Sequence, residues 1–140
     1  PEDQTFEIGK AYVMNEGKDV TIIATGHLVW EAHKAAEILE SEGNCAEVIE
    51  IATIKPLDEA AVVASAMKTK AVVVTEVHNM AGGLGELVAG VLAAKMPVPM
   101  EYVNGGDRFG ESGTPAELMA AYGLDGEHIA EAARKAIFRK

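Results

Sequence analysis

Short unbroken apolar runs alternate along this chain with stretches whose apolar residues recur every three or four positions. The clearest such unit is Ala71 to Leu92, A-V-V-V-T-E-V-H-N-M-A-G-G-L-G-E-L-V-A-G-V-L. Ala71 to Val74 is apolar throughout and rich in Val, which suits a strand covered on both faces. Glu76 and His78 follow where that strand should end, and Gly82, Gly83 and Gly85 form a turn. Leu84, Leu87, Val88, Val91 and Leu92 then stand at i, i+3, i+4, i+7 and i+8, the spacing of one helix face. The unit reads as buried strand, polar crest, glycine turn and helix. Binding groups cluster at such carboxyl ends in open α/β sheets.

The same alternation fills the rest of the chain. Residues 1 to 8 read as a polar arm and 9 to 140 as one domain. Lys10 to Met14 and Val20 to Thr25 are predicted strands, with Asn15, Glu16 and Gly17 as a turn between them. A helix starts near His27, carries Leu28, Ala32, Ala35, Ala36 and Leu39 on its inner face, and ends at Gly43 and Asn44. Ala46 to Ile51 is a third strand. Asp58 is the expected N-cap of a helix over Glu59 to Lys68. That helix is apolar nearly all round, so it should be buried on two sides. Met100 to Val103 is a short fifth strand, and Asn104-Gly105-Gly106-Asp107 a turn. Thr114, Pro115 and Glu117 open a further helix as N-cap, first helical residue and capping-box partner. Asp125 caps the last one, whose inner stripe is Ile129, Ala133 and Ile137. Strands alternating with helices place the chain in the α/β class, as one three-layer domain.

Composition narrows the choice of partners. The 140 residues suit one domain with a full core. Acidic residues number 22 against 12 basic ones, a formal net charge of -10. No basic stripe exists to displace counterions from phosphates, which argues against nucleic acid and against an anionic membrane surface. No apolar run has the length of a spanning helix. A single cysteine, Cys45, cannot form an internal disulfide, and the plain expectation is a reducing cytoplasm. The chain starts at Pro1 without an initiator Met, as a piece of something longer would.

Candidate chemistry is sparse. The glycine turn has the donors to cradle a phosphate at a helix start. However, Gly83-x-Gly85-x-x-Val88 lacks the third glycine of a dinucleotide fingerprint, and tight strand–helix packing explains it more simply. His27 and His78 both fall just past strands, yet no short ligand spacing makes them a metal site with Glu76 or Asp107. His33 and His128 read as solvated helix positions. Cys45 has no obvious base, and burial is the default expectation. Ser112 lies in G-E-S-G, without the strand or the glycine spacing of a nucleophile elbow. Trp30 sits opposite Leu28, Ala32 and Leu39 on the polar face of its helix, where an exposed Trp is a typical interface anchor. The residues describe a domain that docks, and no catalytic set emerges.

Four motifs carry a family resemblance: G-K-A-Y-V-M-N-E-G-K-D-V-T-I-I-A-T-G (Gly9 to Gly26), I-K-P-L-D (Ile54 to Asp58), E-V-H-N-M-A-G-G-L-G (Glu76 to Gly85) and D-R-F-G-E-S-G-T-P (Asp107 to Pro115). Together they resemble the C-terminal domain of transketolase-type thiamine diphosphate enzymes. I-K-P-L-D and the glycine crest are similar to 1-deoxyxylulose-5-phosphate synthase and to the beta subunits of 2-oxo acid dehydrogenases. Phe109 to Gly113 is similar to transketolase itself, and both features together to the C-terminal subunit of a split transketolase. The resemblance implies an α/β/α domain with a five-stranded mixed sheet whose first strand is antiparallel to the rest. Local reading pairs the first two strands as a hairpin; the resemblance instead places the third strand between them.

The resemblance also implies an enzyme that transfers two-carbon ketol units between sugar phosphates. Thiamine diphosphate and a divalent metal, Mg, are then held by the diphosphate-binding and pyrimidine-binding domains, and none by this one. No catalytic, cofactor-binding or metal residue is therefore expected here. The expected role is to support a homo-oligomer and brace the catalytic domains. Trp30, Glu76, His78, Gly82, Gly83 and Gly85 are the expected structural and contact residues. A free-standing regulatory module that binds a ligand at the glycine turn is the rival from another class.

Overall fold

In the computed structural model the described residues are 10–26, 28–51, 57–76, 83–104 and 125–140. Five strands form one sheet: β1 (Ala11–Asn15), β2 (Val20–Ala24), β3 (Ala46–Ile51), β4 (Val72–Glu76) and β5 (Met100–Asn104). Their order across the sheet is β1-β3-β2-β4-β5. β1 runs antiparallel to β3, and the other pairings are parallel. The third strand thus lies between the first two, and Asn15 to Asp19 is not the turn of a hairpin.

The physical reason lies in what those connecting residues touch. Asn15 Nδ2 donates to the Ala46 carbonyl at 2.8 Å. Asp19 exchanges two bonds with Cys45, its N–H donating at 2.9 Å and its Oδ2 accepting at 2.7 Å. A Cβ on Gly17 would stand 2.3 Å from the Ala46 carbonyl carbon, so only glycine lets the chain cross there. The connection straddles the start of β3. Cys45 stands just before that strand and is exposed as a free thiol, contrary to the burial expected of it.

Side chains alternate between the two faces of the sheet. Val20, Ile22, Val48 and Val73 pack under α1 (Leu28–Ser41) and α4 (Gly126–Phe138). Ile23, Ile49, Val72 and Val74 pack under α2 (Glu59–Thr69) and α3 (Leu84–Lys95). The result is the three-layer α/β/α arrangement. The expected caps are present: Asp58 accepts from the Ala61 N–H at 3.1 Å and Asp125 from that of His128 at 3.0 Å. Asp58 also accepts from Ala11 N–H at 2.9 Å, which ties the edge strand to the start of α2. Gly43, at φ 88°, ends α1 with the paired bonds Gly43 N–H to Glu40 O and Asn44 N–H to Leu39 O.

Two expectations need correction. β4 continues two residues past its apolar run, so Glu76 lies inside the strand, paired with Asn104 of β5. α2 was expected to be buried on two sides, but the described residues cover only one. Val62, Ser65, Ala66 and Thr69 face the sheet, while Ala60, Ala64 and Met67 are exposed. The helix opened by Thr114 and the turn at Gly105 lie outside the described residues. Among the described residues no helix is long and apolar enough to cross a membrane.

A polar network is buried beneath α2 at the amino end of the sheet. Thr21 Oγ1 lies 2.6 Å from Ser65 Oγ and 2.7 Å from Thr69 Oγ1. Ser65 Oγ donates to Glu47 Oε2 at 2.7 Å, and Lys68 pairs with Glu47 Oε1. Gly17 N–H donates to the same carboxylate at 3.2 Å. Among the described residues no buried side-chain polar atom lacks a partner, which is what the price of desolvating such groups demands.

Candidate functional site at the carboxyl edge of the sheet

β2 and β4 are adjacent and parallel, so both end at the same edge. α1 departs from that edge after Ala24, and α3 begins beside it at Leu84. Trp30, in the first turn of α1, is 74% exposed. Glu76, the last residue of β4, is only 4% exposed.

Glu76 has a defined task. Its Oε2 accepts the N–H of Leu84 at 2.8 Å and its Oε1 that of Gly85 at 3.0 Å. Gly83 is the N-cap residue of α3, in extended conformation, and has no side chain with which to cap. The strand therefore lends the helix a carboxylate from eight residues upstream. Negative charge is favoured at a helix N-terminus, because the first N–H groups have no partner within the helix. Burial strengthens these charge-assisted bonds, and without them the carboxylate would not tolerate burial.

Gly85 completes the geometry. A Cβ there would lie 2.9 Å from two ring carbons of Tyr102 and 3.2 Å from Glu76 Oε1. The absent side chain lets the Tyr102 ring of β5 close over the helix start. Burial pushes the Tyr102 hydroxyl above its ordinary value.

This closure bears on what the edge can bind. The N–H groups of Leu84 and Gly85, which would help cradle a phosphate, already hold a carboxylate, and an incoming anion would meet it head on. The starts of α2 and α4 likewise carry Asp58 and Asp125. The described starts of α2, α3 and α4 thus each carry a carboxylate already. Among the described residues no group of three or more His, Cys, Asp or Glu stands together to hold a metal ion.

The other candidates distribute as follows. Gly83, Gly85 and Glu76 form one cluster. Trp30 shares their edge of the sheet through the topology. His27, His78, Gly82, Asp107 and Ser112 lie outside the described residues. Sequence reading missed the part played by Tyr102, since nothing local links a β5 tyrosine to a glycine in α3. It also missed Glu31, whose Oε1 accepts the Gly126 N–H at 3.0 Å and so adds a second carboxylate to the start of α4.

The family pattern described as "Transketolase, C-terminal domain" matches residues 9–129. A Clostridium sp. protein named 6-deoxy-6-sulfo-D-fructose transketolase subunit is 46% identical over 139 residues, 99% of this chain and 43% of its own length. A Methanocaldococcus jannaschii protein, named as a transketolase C-terminal section, is 48% identical over 132 residues, 93% of this chain and 40% of its own. A solved structure described as "Split gene transketolase, inactive beta4 tetramer" superposes with a TM-score of 0.94 at 44% identity, over 100% of this chain and 46% of that one. The chain spans less than half the length of these relatives. A family match over residues 9–129 and 46–48% identity over nearly the whole chain lead to one statement: the chain belongs to the transketolase C-terminal domain family.

Proposed function

We propose that this chain is the C-terminal domain of a thiamine-diphosphate-dependent transketolase, of the kind split into two subunits. The whole enzyme transfers a two-carbon ketol unit between sugar phosphates. This domain takes no part in the chemistry; it supports the assembly of copies and braces the catalytic domains. Whole-chain likeness to a split-gene transketolase subunit, solved as an inactive tetramer, is the observation that carries the reading. The closure of the α3 start by Glu76 supports it from the chemical side.

On this reading thiamine diphosphate and Mg are held by the diphosphate-binding and pyrimidine-binding domains, and the enzyme works in a reducing cytoplasm. The carboxyl edge of the sheet, with Trp30, Glu76, His78, Gly82, Gly83 and Gly85, is the contact edge toward those domains. Glu76 serves it from beneath, by fixing where α3 and Gly83 stand. The I-K-P-L-D motif keeps a second reading in the same family, in which the reaction is 1-deoxyxylulose-5-phosphate synthesis or 2-oxo acid decarboxylation. The regulatory module rests on a glycine turn open to a ligand, and it is less favoured because Glu76 accepts the N–H groups of Leu84 and Gly85.

Calorimetry tests the division of labour. The 140-residue chain, titrated with thiamine diphosphate and Mg, is expected to give no binding heat. Micromolar binding would place cofactor contacts in this domain and overturn the proposal. Adding the diphosphate-binding and pyrimidine-binding parts should restore ketol transfer. Trp30→Glu should then lower the activity by weakening assembly, with the melting temperature of this chain unchanged.

A further inference from the structure

α2 is fixed to the sheet differently from its neighbour α3. The side chains that α3 buries are Leu84, Val88 and Leu92. α2 buries Val62, Ser65, Ala66 and Thr69, so Val62 is its only fully buried large apolar side chain. Both hydroxyls bond across to the sheet: Ser65 and Thr69 to Thr21, and Ser65 also to Glu47. A helix that leaves its sheet loses apolar burial outright, whereas its hydroxyls exchange a protein partner for water at a small net loss. α2 is therefore the more readily released of the two helices. The residue after it, Lys70, has φ 64°, a left-handed backbone that side chains disfavour and that release would relax.

β1 is bound to both ends of this helix. At the start of α2, Asp58 Oδ2 accepts the Ala11 N–H at 2.9 Å. Towards its end, Glu47 holds Ser65 and Lys68 and also accepts the Gly17 N–H, from the connection that follows β1. β1 has one strand neighbour, β3, and none of its residues is fully buried. If α2 leaves, Ala11 loses Asp58, and the carboxylate that positions Gly17 loses its serine and its lysine.

We propose that β1 and α2 form one cooperative unit that detaches from the sheet while the other described elements stay folded, with the contacts of Glu47, Ser65, Lys68, Thr69 and Thr21 as its bolt. The chain enters the domain through β1. A preceding segment that pulls on Lys10, or holds it in place, therefore acts on α2 through that bolt. The unit is a conformational device by which this domain responds to what stands before it in the chain.

Native-state hydrogen exchange of the chain over a series of low urea concentrations tests this, at a pH where exchange reads the opening equilibrium. The amides of Ala11 in β1 and of Val62 and Lys70 in α2 are expected to share one opening equilibrium. They should be at least tenfold less protected than Thr21 and Val72, whose N–H groups bond to Ala71 and Pro99 carbonyls in the middle of the sheet. Asn15→Ala removes a bond from β1 to Ala46 and touches nothing in α2. It should nevertheless speed exchange at Val62 and Lys70 about fivefold, as much as at Ala11. Ser65→Ala should act in the opposite direction along the same link, speeding Ala11 as much as Val62, about tenfold. Ile129→Val, in the core under α1 and α4, should speed Thr21 and Val72 about threefold to tenfold and leave Ala11, Val62 and Lys70 unchanged. That last split is not expected if the whole domain opens at once. Protection of α2 equal to that of Thr21, unlike responses of Ala11 and Val62 to Asn15→Ala, or equal acceleration of all five amides by Ile129→Val would each overturn the proposal.

Discussion

The sheet buries one glutamate near each end and holds the two by different means. At the amino end Glu47 is 2% exposed and meets side chains: the Lys68 ammonium and the Ser65 hydroxyl, with Gly17 N–H as its backbone partner. At the carboxyl end Glu76 is 4% exposed and meets backbone N–H groups of Leu84 and Gly85. Glu47 closes a network that joins β3 to α2 and to the β1–β2 connection. Glu76 occupies the place where other α/β folds seat an anionic ligand. A glycine-rich helix start is thus a binding signal only while its donors are free. Here the chain supplies the anion itself, and the donors of Leu84 and Gly85 are taken.

Removing each carboxylate sharpens the contrast. Glu76→Ala leaves two buried N–H groups unpaired at a helix start, a loss of about 3–6 kcal/mol at 1.5–3 kcal/mol per bond to a charged group. Urea unfolding should show it, and a loss below about 1 kcal/mol would contradict the capping role. The vacated site is anion-shaped, so formate should raise the melting temperature of Glu76→Ala more than that of wild type. Glu47→Ala should cost less, about 2–3 kcal/mol, because the Lys68 side chain is 45% exposed and can regain water. Formate should do little there, since the Ser65 hydroxyl can turn back into the Thr21 network. Equal rescue of both variants would erase the distinction.

The two close glycines give the next effect down. At Gly17 an added Cβ meets the Ala46 backbone at 2.3 Å, and backbone cannot step aside. At Gly85 it meets the Tyr102 ring at 2.9 Å, and a side chain can rotate. Gly17→Ala should therefore destabilise by about 3 kcal/mol and Gly85→Ala by about 1–2, the upper and lower parts of the overpacking range. Thermal melts in the reverse order would show that the β1–β2 connection is the softer of the two.

The smallest effect belongs to the exposed cap of α4. His128 Nδ1 lies 2.6 Å from Asp125 Oδ1. The hydrogen bond and charge of Asp125 hold the imidazole above its ordinary value of 6.5. For Asp125, partial burial pushes upward, but the bonds and charge from His128 outweigh it and the net shift is below 3.8. The His128 contribution is fully present below pH 6.5 and is lost as pH rises through the higher folded value. The Asp125 contribution is present above 3.8 and is lost as pH falls through the lower folded value. The pair thus stabilises most between these limits. Being exposed, it contributes at most about 1 kcal/mol. His128→Ala should flatten the fall in melting temperature from pH 6 to 8 while leaving pH 9 unchanged.

The elements and their caps were legible because they rest on local rules. Ala46–Ile51 could be bounded from its residues alone, and Asp58 and Asp125 identified as caps, since a cap binds a backbone N–H three residues on. Trp30 could be placed on an outer helix face from periodicity. The strand order came from family resemblance, against a local hairpin reading that the contacts of Gly17 and Asp19 with the start of β3 rule out. Cys45 was misjudged for a related reason: its position beside a strand did not say that the strand's first inward residue is Ala46.

Along the chain alone, alternation of apolar and polar residues determined an α/β domain with helices on both sides of a sheet, and the charge argued against polyanionic partners. Tertiary structure alone decided whether the glycine turn at Gly83 to Gly85 was open or filled, and which face of α2 remained uncovered. Both depend on partners distant in sequence or in the sheet: Glu76 upstream, Tyr102 across β4 and β5, and helix neighbours set by strand order. Hydrophobic spacing records how much surface a segment must bury, and only the packed chain shows how much of it remains uncovered.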